Sequence, residues 1–226
     1  MDIFSEGKVL LINKPYDWTS FDVIRKMRGL IKIKKIGHAG TLDPLATGML
    51  IVCTGKYTKK INEYMAQEKE YTGTIVLGAT TPTYDLESIP ENFKDCSHIT
   101  ADDVNEAAKV FTGEIAQVPP IYSAIKKDGK RAYEFARKGQ EVELKPRDIT
   151  VSQFLTTLQY PEVHFKIICS TGTYIRSIAH DLGSQLGCGG YLSALCRTRI
   201  GAFELKDAMT LEQFEAWVRE MQHQKG

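Results

Sequence analysis

The chain has 226 residues, 42% of them hydrophobic, a formal net charge of +1 and five cysteines. That length and apolar content mark a globular protein with a proper core, in one large domain or two small ones. No apolar run is long enough to cross a membrane, and Val9 to Ile12 is too short for a signal peptide. The cysteines are odd in number with no Cys-x-x-Cys pair, which fits reduced thiols rather than a disulfide framework or zinc site, so a cytoplasmic home is expected.

Val9 to Ile12 reads as a strand, and Ser20 as the cap of a helix whose apolar residues Phe21, Ile24, Met27 and Ile31 recur at helical spacing. Residues 37 to 48 form a Gly/Pro-rich loop, Gly37-His38-Ala39-Gly40-Thr41-Leu42-Asp43-Pro44-Leu45-Ala46-Thr47-Gly48, with a single carboxylate. Taken alone it is a tight surface turn. Its glycines permit close approach by another molecule, and Pro44 stiffens the chain just after Asp43. Basic residues Lys34-Lys35 precede it and the buried run Met49 to Cys53 follows, so Asp43 is placed as a catalytic group would be.

Leu50 to Thr54 reads as a second strand, Thr58 to Met65 as a short helix and Tyr71 to Leu77 as a half-buried strand. Thr100-x-x-Asp103 resembles a capping box opening a helix that runs through Phe111 and ends near Gly113. After Pro119-Pro120 and Tyr122-Ser123-Ala124, Lys126 to Gly129 suits a hairpin turn, with a basic helix from Arg131 to Lys138 closed by Gly139. Val163, Phe165 and Ile167 alternate as a strand, a helix runs from Thr173 to Leu186 with Gly187 as its stop, and Thr210-x-x-Gln213 caps a last helix. With no repeat, long linker or regular βαβ beat, the pattern predicts one α+β domain over residues 1 to 226. Its core is a mixed, largely antiparallel sheet flanked by helices.

The small net charge conceals a segregated distribution. Residues 1 to 60 carry 11 Lys/Arg against 5 Asp/Glu, residues 123 to 147 carry 8 against 4, and residues 85 to 106 carry 7 acids and one base. Charge alone leaves a polyanion site and a mixed solvated surface equally open.

Four further pieces carry candidate chemistry: Lys69-Glu70-Tyr71, Thr80-Thr81-Pro82-Thr83-Tyr84-Asp85, Cys169 to Arg176, and Leu195-Cys196-Arg197. Tyr71 at a strand start also suits simple packing. Arg176, in the first turn of a helix, opposes that helix's dipole and needs a carboxylate or phosphate partner. His38 and His180-Asp181 have no companion at metal-ligand spacing, so no metal is expected. A Gly-x-x-x-x-Gly-Lys-Ser/Thr nucleotide loop and a Gly-x-Ser-x-Gly elbow are both absent, and a glycosidase would need a second loop carboxylate.

Together the pieces resemble the tRNA pseudouridine synthase B family. The match runs through His38 to Gly48, Lys69-Glu70-Tyr71, Pro119-Pro120 with Tyr122-Ser123-Ala124, and Gly172 to Arg176 followed by Asp181-Leu182-Gly183, in the family's order, from about residue 7 to about 205. The resemblance implies an isomerase that converts uridine to pseudouridine at position 55 in the T-loop of tRNA, with no cofactor, since the product is an isomer of the substrate. It makes Asp43 the nucleophile, Arg176 its counter-ion and Tyr71 the group against the target base. Tyr174 and Leu195 line the pocket, and His38 fills space vacated by extruded nucleotides. The base must be flipped out of its stack. Basic segments 25 to 35 and 126 to 147 would hold phosphates, and residues 119 to 147 would form an RNA-binding insertion. The expected partner is the T-arm of tRNA, with no membrane and no obligatory protein partner. Longer relatives carry a C-terminal RNA-binding domain that is not expected here, and Cys196-Arg197 stands where paired arginines are common. A T-arm-binding RNA-folding factor without catalysis is the alternative, and a guide-RNA-dependent relative is disfavoured by the short chain.

Overall fold

The computed structural model describes residues 3–123, 125–127, 130–131 and 144–224. In chain order the elements are α1 (Ile3–Glu6), β1 (Val9–Lys14), α2 (Ser20–Ile31), β2 (Ile36–His38), β3 (Thr47–Thr54), a 3₁₀ turn (Gly55–Lys60), α3 (Ile61–Met65), β4 (Lys69–Leu77), α4 (Ala101–Val110), β5 (Gly113–Gln117), β6 (Lys126–Lys127) and β7 (Lys130–Arg131). They continue with β8 (Arg147–Gln159), β9 (Glu162–Cys169), α5 (Ile175–Gln185), β10 (Gly190–Ile200), β11 (Phe203–Glu204), a second 3₁₀ turn (Leu205–Asp207) and α6 (Leu211–His223). Among the described residues, nine strands belong to a mixed, mostly antiparallel sheet, as the sequence predicts for an α+β chain, and helices flank it. The chain divides into two compact units, one of residues Met1–Tyr71 and Leu195–Gly226, the other of Thr72–Ala194.

In the first unit β3 is the central strand. It pairs antiparallel with β1, from Val9 opposite Cys53 to Lys14 opposite Gly48, and antiparallel with β2. Its first residues run parallel to the end of β10, with Cys196 opposite Thr47 and Arg197 opposite Gly48. Because side chains alternate along a strand, Leu50 and Val52 point to one face, against Ile12, Met27 and Phe214 of the core built by α2 and α6. Met49, Ile51 and Cys53 enter a second core with Ala39 and Ile200. A strand buried on both faces reads as a continuous apolar run, which is why 49 to 53 were legible.

Two details of α2 depart from the sequence reading. Its N-cap is Thr19, not Ser20: Thr19 and Asp22 form a reciprocal capping box. Phe21 is 60% exposed, and the inward face is Ser20, Val23, Ile24, Met27 and Ile31. Shifting the cap back by one residue rotates the buried stripe, which frees Ser20 to bond the loop ahead of Asp43.

In the second unit the strand order is β4-β9-β8-β5. β8 and β9 form an antiparallel hairpin from Val151 opposite Cys169 to Gln159 opposite Glu162, and β5 pairs antiparallel along the start of β8. Ile149, Val151, Val163, Phe165 and Ile167 line the inner face, with Val104 and Ala108 of α4 and Ile178 and Leu182 of α5 also buried. α4 opens with the Thr100/Asp103 capping box the sequence predicts. The hairpin expected at Lys126 to Gly129 shows as the paired strands β6 and β7, in which Arg131 is opposite Lys126, so Arg131 does not begin a helix. The rest of the expected basic helix and most of 119 to 147 lie outside the described residues. Among the described residues no helix is long and apolar enough to cross a membrane, and no cluster of His, Cys, Asp and Glu fits a metal ion.

Candidate active site

The Asp43 loop enters from β2 and leaves into β3, and its backbone is tied down at almost every turn. Ser20 accepts a hydrogen bond from the Leu42 amide at 2.9 Å and donates to the Leu42 carbonyl at 3.2 Å, joining the loop to the first residue of α2. The Ala46 amide donates back to the Asp43 carbonyl at 3.1 Å, closing the turn around Pro44. Further on, the Thr47 hydroxyl donates to the Leu195 carbonyl at 3.4 Å.

Two buried cations complete the support. Lys14, at the end of β1, is fully buried and donates to the carbonyls of Pro15 at 2.9 Å, Pro44 at 3.0 Å, and Trp18. Arg197, buried in β10, donates through Nε to the Met49 carbonyl at 2.8 Å and through Nη2 to the Gly40 carbonyl at 3.1 Å. The half-buried Asp43 therefore lies between two carbonyls, at 40 and 44, each held by a buried positive group. Burial pulls the Lys14 pKa down to about 8, while the Asp43 charge pulls it back up and Arg197 pushes it further down. His38, on β2, is held below the usual histidine range by burial, with the Gly40 backbone acting the other way and Arg197 adding to the depression; its Nδ1 is buried without a hydrogen-bond partner. It stands in this loop as a neutral ring.

In the second unit Arg176 sits in the first turn of α5, only 5% exposed. Its Nη1 donates to the Thr83 carbonyl and its Nη2 to the Tyr122 carbonyl, both at 3.0 Å, and its Nε lies 3.6 Å from Asp85 Oδ2. Asp85 in turn accepts from the Glu87 amide at 3.0 Å, and Thr83 donates to the Asp85 carbonyl at 3.2 Å. The carboxylate partner that the sequence demands for an arginine at a helix start is thus at least Asp85. Tyr174, just ahead of α5, is clamped by Gln117, which accepts from its amide at 2.8 Å and donates to its carbonyl at 3.0 Å. Tyr84 holds φ +64° and stacks on His180 with ring centroids 3.9 Å apart.

Of the residues singled out from sequence, His38, Asp43, Tyr71 and Leu195 belong to the first unit, Tyr174 and Arg176 to the second. Tyr71 is buried on β4, next to Glu70, whose carboxylate accepts from Thr198 at 2.8 Å. The sequence alone assigns no individual role to Lys14, Asp85, Gln117 or Arg197. Arg197 and Asp85 lie in the candidate pieces Leu195-Cys196-Arg197 and Thr80 to Asp85, and the signal for Lys14 is a lysine closing an apolar strand.

Residues 28–175 match the TruB family pseudouridylate synthase N-terminal domain. The chain belongs to the TruB family. Residues 176–225 match the tRNA pseudouridylate synthase B C-terminal domain. The chain is 50% identical to tRNA pseudouridine synthase B of Flavobacterium johnsoniae over 220 residues, 94% of this chain and 96% of that one. It is 49% identical to the protein of the same name from Bacteroides fragilis over 224 residues, 95% of each. The TruB fold extends to a chain in the crystal structure of a Cbf5-Nop10-Gar1 complex, with TM-score 0.76 and 27% identity; 99% of this chain spans 57% of that longer one.

Proposed function

We propose that this TruB-family chain isomerises uridine to pseudouridine in tRNA, at position 55 of the T-loop, with Asp43 as nucleophile. The observation that supports the reading is that the carbonyls at 40 and 44, on either side of the loop's Asp43, are pinned by two buried cations, inside the loop that carries the family likeness. Asp43 adds to the ribose C1′ or to the uracil ring. By either route the bond from C1′ to N1 breaks, the base turns, C5 bonds to C1′ and Asp43 is released, and C5 loses its proton while N1, which carries none in uridine, gains one. Atoms balance without a cofactor. Arg176, held by Asp85 and two carbonyls, serves as the counter-ion that keeps Asp43 ionised and aimed. Tyr71 packs on the everted base and is the candidate to move the C5 proton; Tyr174, Leu195 and the neutral His38 complete the pocket.

The chain acts as one catalytic domain with an RNA-binding insertion at 119 to 147, in the cytoplasm, on the T-arm of tRNA and without an obligatory protein partner. The test is tritium release from T-arm RNA labelled at uracil C5. Release by wild type and its loss in Asp43→Asn supports the reading; undiminished release from Asp43→Asn, or none from wild type, overturns it. The second reading, RNA folding without chemistry, is favoured if tRNA binding and unfolding survive Asp43→Asn while wild type releases no tritium.

A further inference from the structure

In the second unit α5 grips three consecutive residues of the loop that follows β4. Arg176 reaches the carbonyl of Thr83 and the carboxylate of Asp85. His180, one turn further along the same face of α5, stacks on the ring of the residue between them, Tyr84, with centroids 3.9 Å apart and planes 13° from parallel. The backbone of this stretch is closed on itself. The Tyr84 amide donates to the Thr81 carbonyl at 3.1 Å around Pro82, and the Leu192 amide donates to the Tyr84 carbonyl at 2.9 Å.

Tyr84 is the strained member of the three. Its φ of +64° lies in the left-handed region, and it stands fourth in a turn, a place where glycine is common. A bulky residue keeps that conformation only where its surroundings over-determine it, and such strain collects at functional sites. The position matters because φ at residue 84 turns the peptide plane that carries the Thr83 carbonyl. Were Tyr84 to relax to negative φ, the acceptor for Arg176 Nη1 would swing away from Asp85, and the guanidinium could not keep both. His180 supplies a flat face against this and nothing else: burial holds it below the usual histidine range, and its Nδ1 is buried without a hydrogen-bond partner. Burial, with the Asp181 charge adding to it, pushes the Tyr84 phenol up, so two neutral rings meet.

We infer that His180 and Tyr84 are positioning residues for Arg176: their stack locks the left-handed residue at 84, and with it the Thr83 carbonyl and Asp85 carboxylate that aim the guanidinium. The inference rests on the proposed reaction, in which Arg176 is the counter-ion of Asp43, and deepens it.

Tyr84→Gly removes the ring and relieves the strain, His180→Leu removes the flat face, and Tyr84→Phe and His180→Phe each keep two rings. Both side chains are half-buried, so the packing of α5 through Ile178, Ala179 and Leu182 is left intact. Two quantities are read: kcat and KM for tritium release, and the solvent-exchange rate of the Arg176 Nε–H in protein with isotope-labelled arginine, its signal assigned by its absence from Arg176→Lys. In Tyr84→Gly and in His180→Leu, kcat is expected to fall roughly tenfold or more with KM unchanged, and the Nε–H to exchange roughly tenfold faster. Both phenylalanine variants keep the wild-type values, and Tyr84→Gly/His180→Leu loses no more than either single variant, as for two residues that act as one unit. Wild-type kcat and exchange in Tyr84→Gly and His180→Leu overturn the inference, as do equal losses in the phenylalanine variants or a change confined to KM. A wild type that releases no tritium sinks the proposed reaction instead, and the exchange rates then decide the inference alone.

Discussion

The Lys14 ammonium donates to the Pro44 carbonyl at 3.0 Å, one residue past Asp43. Lys14 has a folded pKa of about 8, below its ordinary 10.5, with burial as the main cause. Below pH 8 the ammonium supplies three donors to three carbonyls; once neutral it supplies at most two. The single-turnover rate is therefore expected to fall above pH about 8 as the anchor on Pro44 weakens. Stability runs the other way: between about pH 8 and 10.5 the unfolded chain holds this proton and the folded chain does not, so the contribution of Lys14 to folding stability rises with pH across that window. A rate profile flat to pH 10, measured beside urea midpoints, would reject the assignment.

Ser20→Ala removes both bonds between α2 and Leu42 while leaving the Thr19 capping box intact. A buried amide left without its partner costs about 1 to 3 kcal/mol. The expected result is that loss in urea unfolding, together with a tenfold to hundredfold lower kcat and little change in KM, since a small displacement of the nucleophile affects chemistry more than binding. A normal kcat in a folded Ser20→Ala protein would show that the loop does not need this tie.

Arg176→Lys keeps the charge and loses the planar fork that reaches Thr83, Tyr122 and Asp85 together. Stripping one partner from a buried ion pair costs roughly 3 to 5 kcal/mol, and a lysine recovers only part of it. We expect a stability loss of about 2 kcal/mol by urea titration and at least a hundredfold loss of tritium release. Asp85→Asn, which keeps an acceptor for the Glu87 amide, is expected to lose less stability than Asp85→Ala. Equal losses in the two Asp85 variants would mean that the charge alone matters.

The elements that were legible had strong local signatures: the apolar run of β3, the alternation of Val163, Phe165 and Ile167 in β9, and the caps at Thr100 and Thr210. The thirteen-residue β8 was not, because beyond Ile149 and Val151 its Ser-Gln-Phe-Leu-Thr-Thr-Leu-Gln places apolar Phe154 and an exposed Leu155 side by side and pairs Thr156 with Thr157, so the two-residue alternation is lost. Asp43 stood out because its loop is short and rich in glycine. The groups that hold it did not, since Lys14, Ser20 and Arg197 all lie far from Asp43 in the chain and act on backbone carbonyls and an amide, which carry no sequence signature. A lysine or arginine read from sequence is taken for surface, and only packing shows that these two are buried.

Gly183, on α5, faces the backbone turn that enters β10. A Cβ there would lie 2.1 Å from the Gly190 nitrogen and 2.2 Å from the Gly189 carbonyl carbon, both main-chain atoms that cannot swing aside. The Cys188 and Gly189 amides both donate to the Gly183 carbonyl, at 3.2 and 2.9 Å, so separating the helix from the turn would also strain these bonds. Helix propensity alone would make Gly183→Ala stabilising by up to about 1 kcal/mol. Overpacking against fixed backbone costs about 1 to 3 kcal/mol or more, and it outweighs that gain. Gly183→Ala is expected to lower the urea midpoint by an amount equivalent to at least about 2 kcal/mol, whereas Gly29→Ala, on the exposed face of α2 with open space around it, should be neutral or stabilising. Were the two substitutions to behave alike, the close packing of α5 on the 189–190 turn would not be the constraint that excludes a side chain at 183.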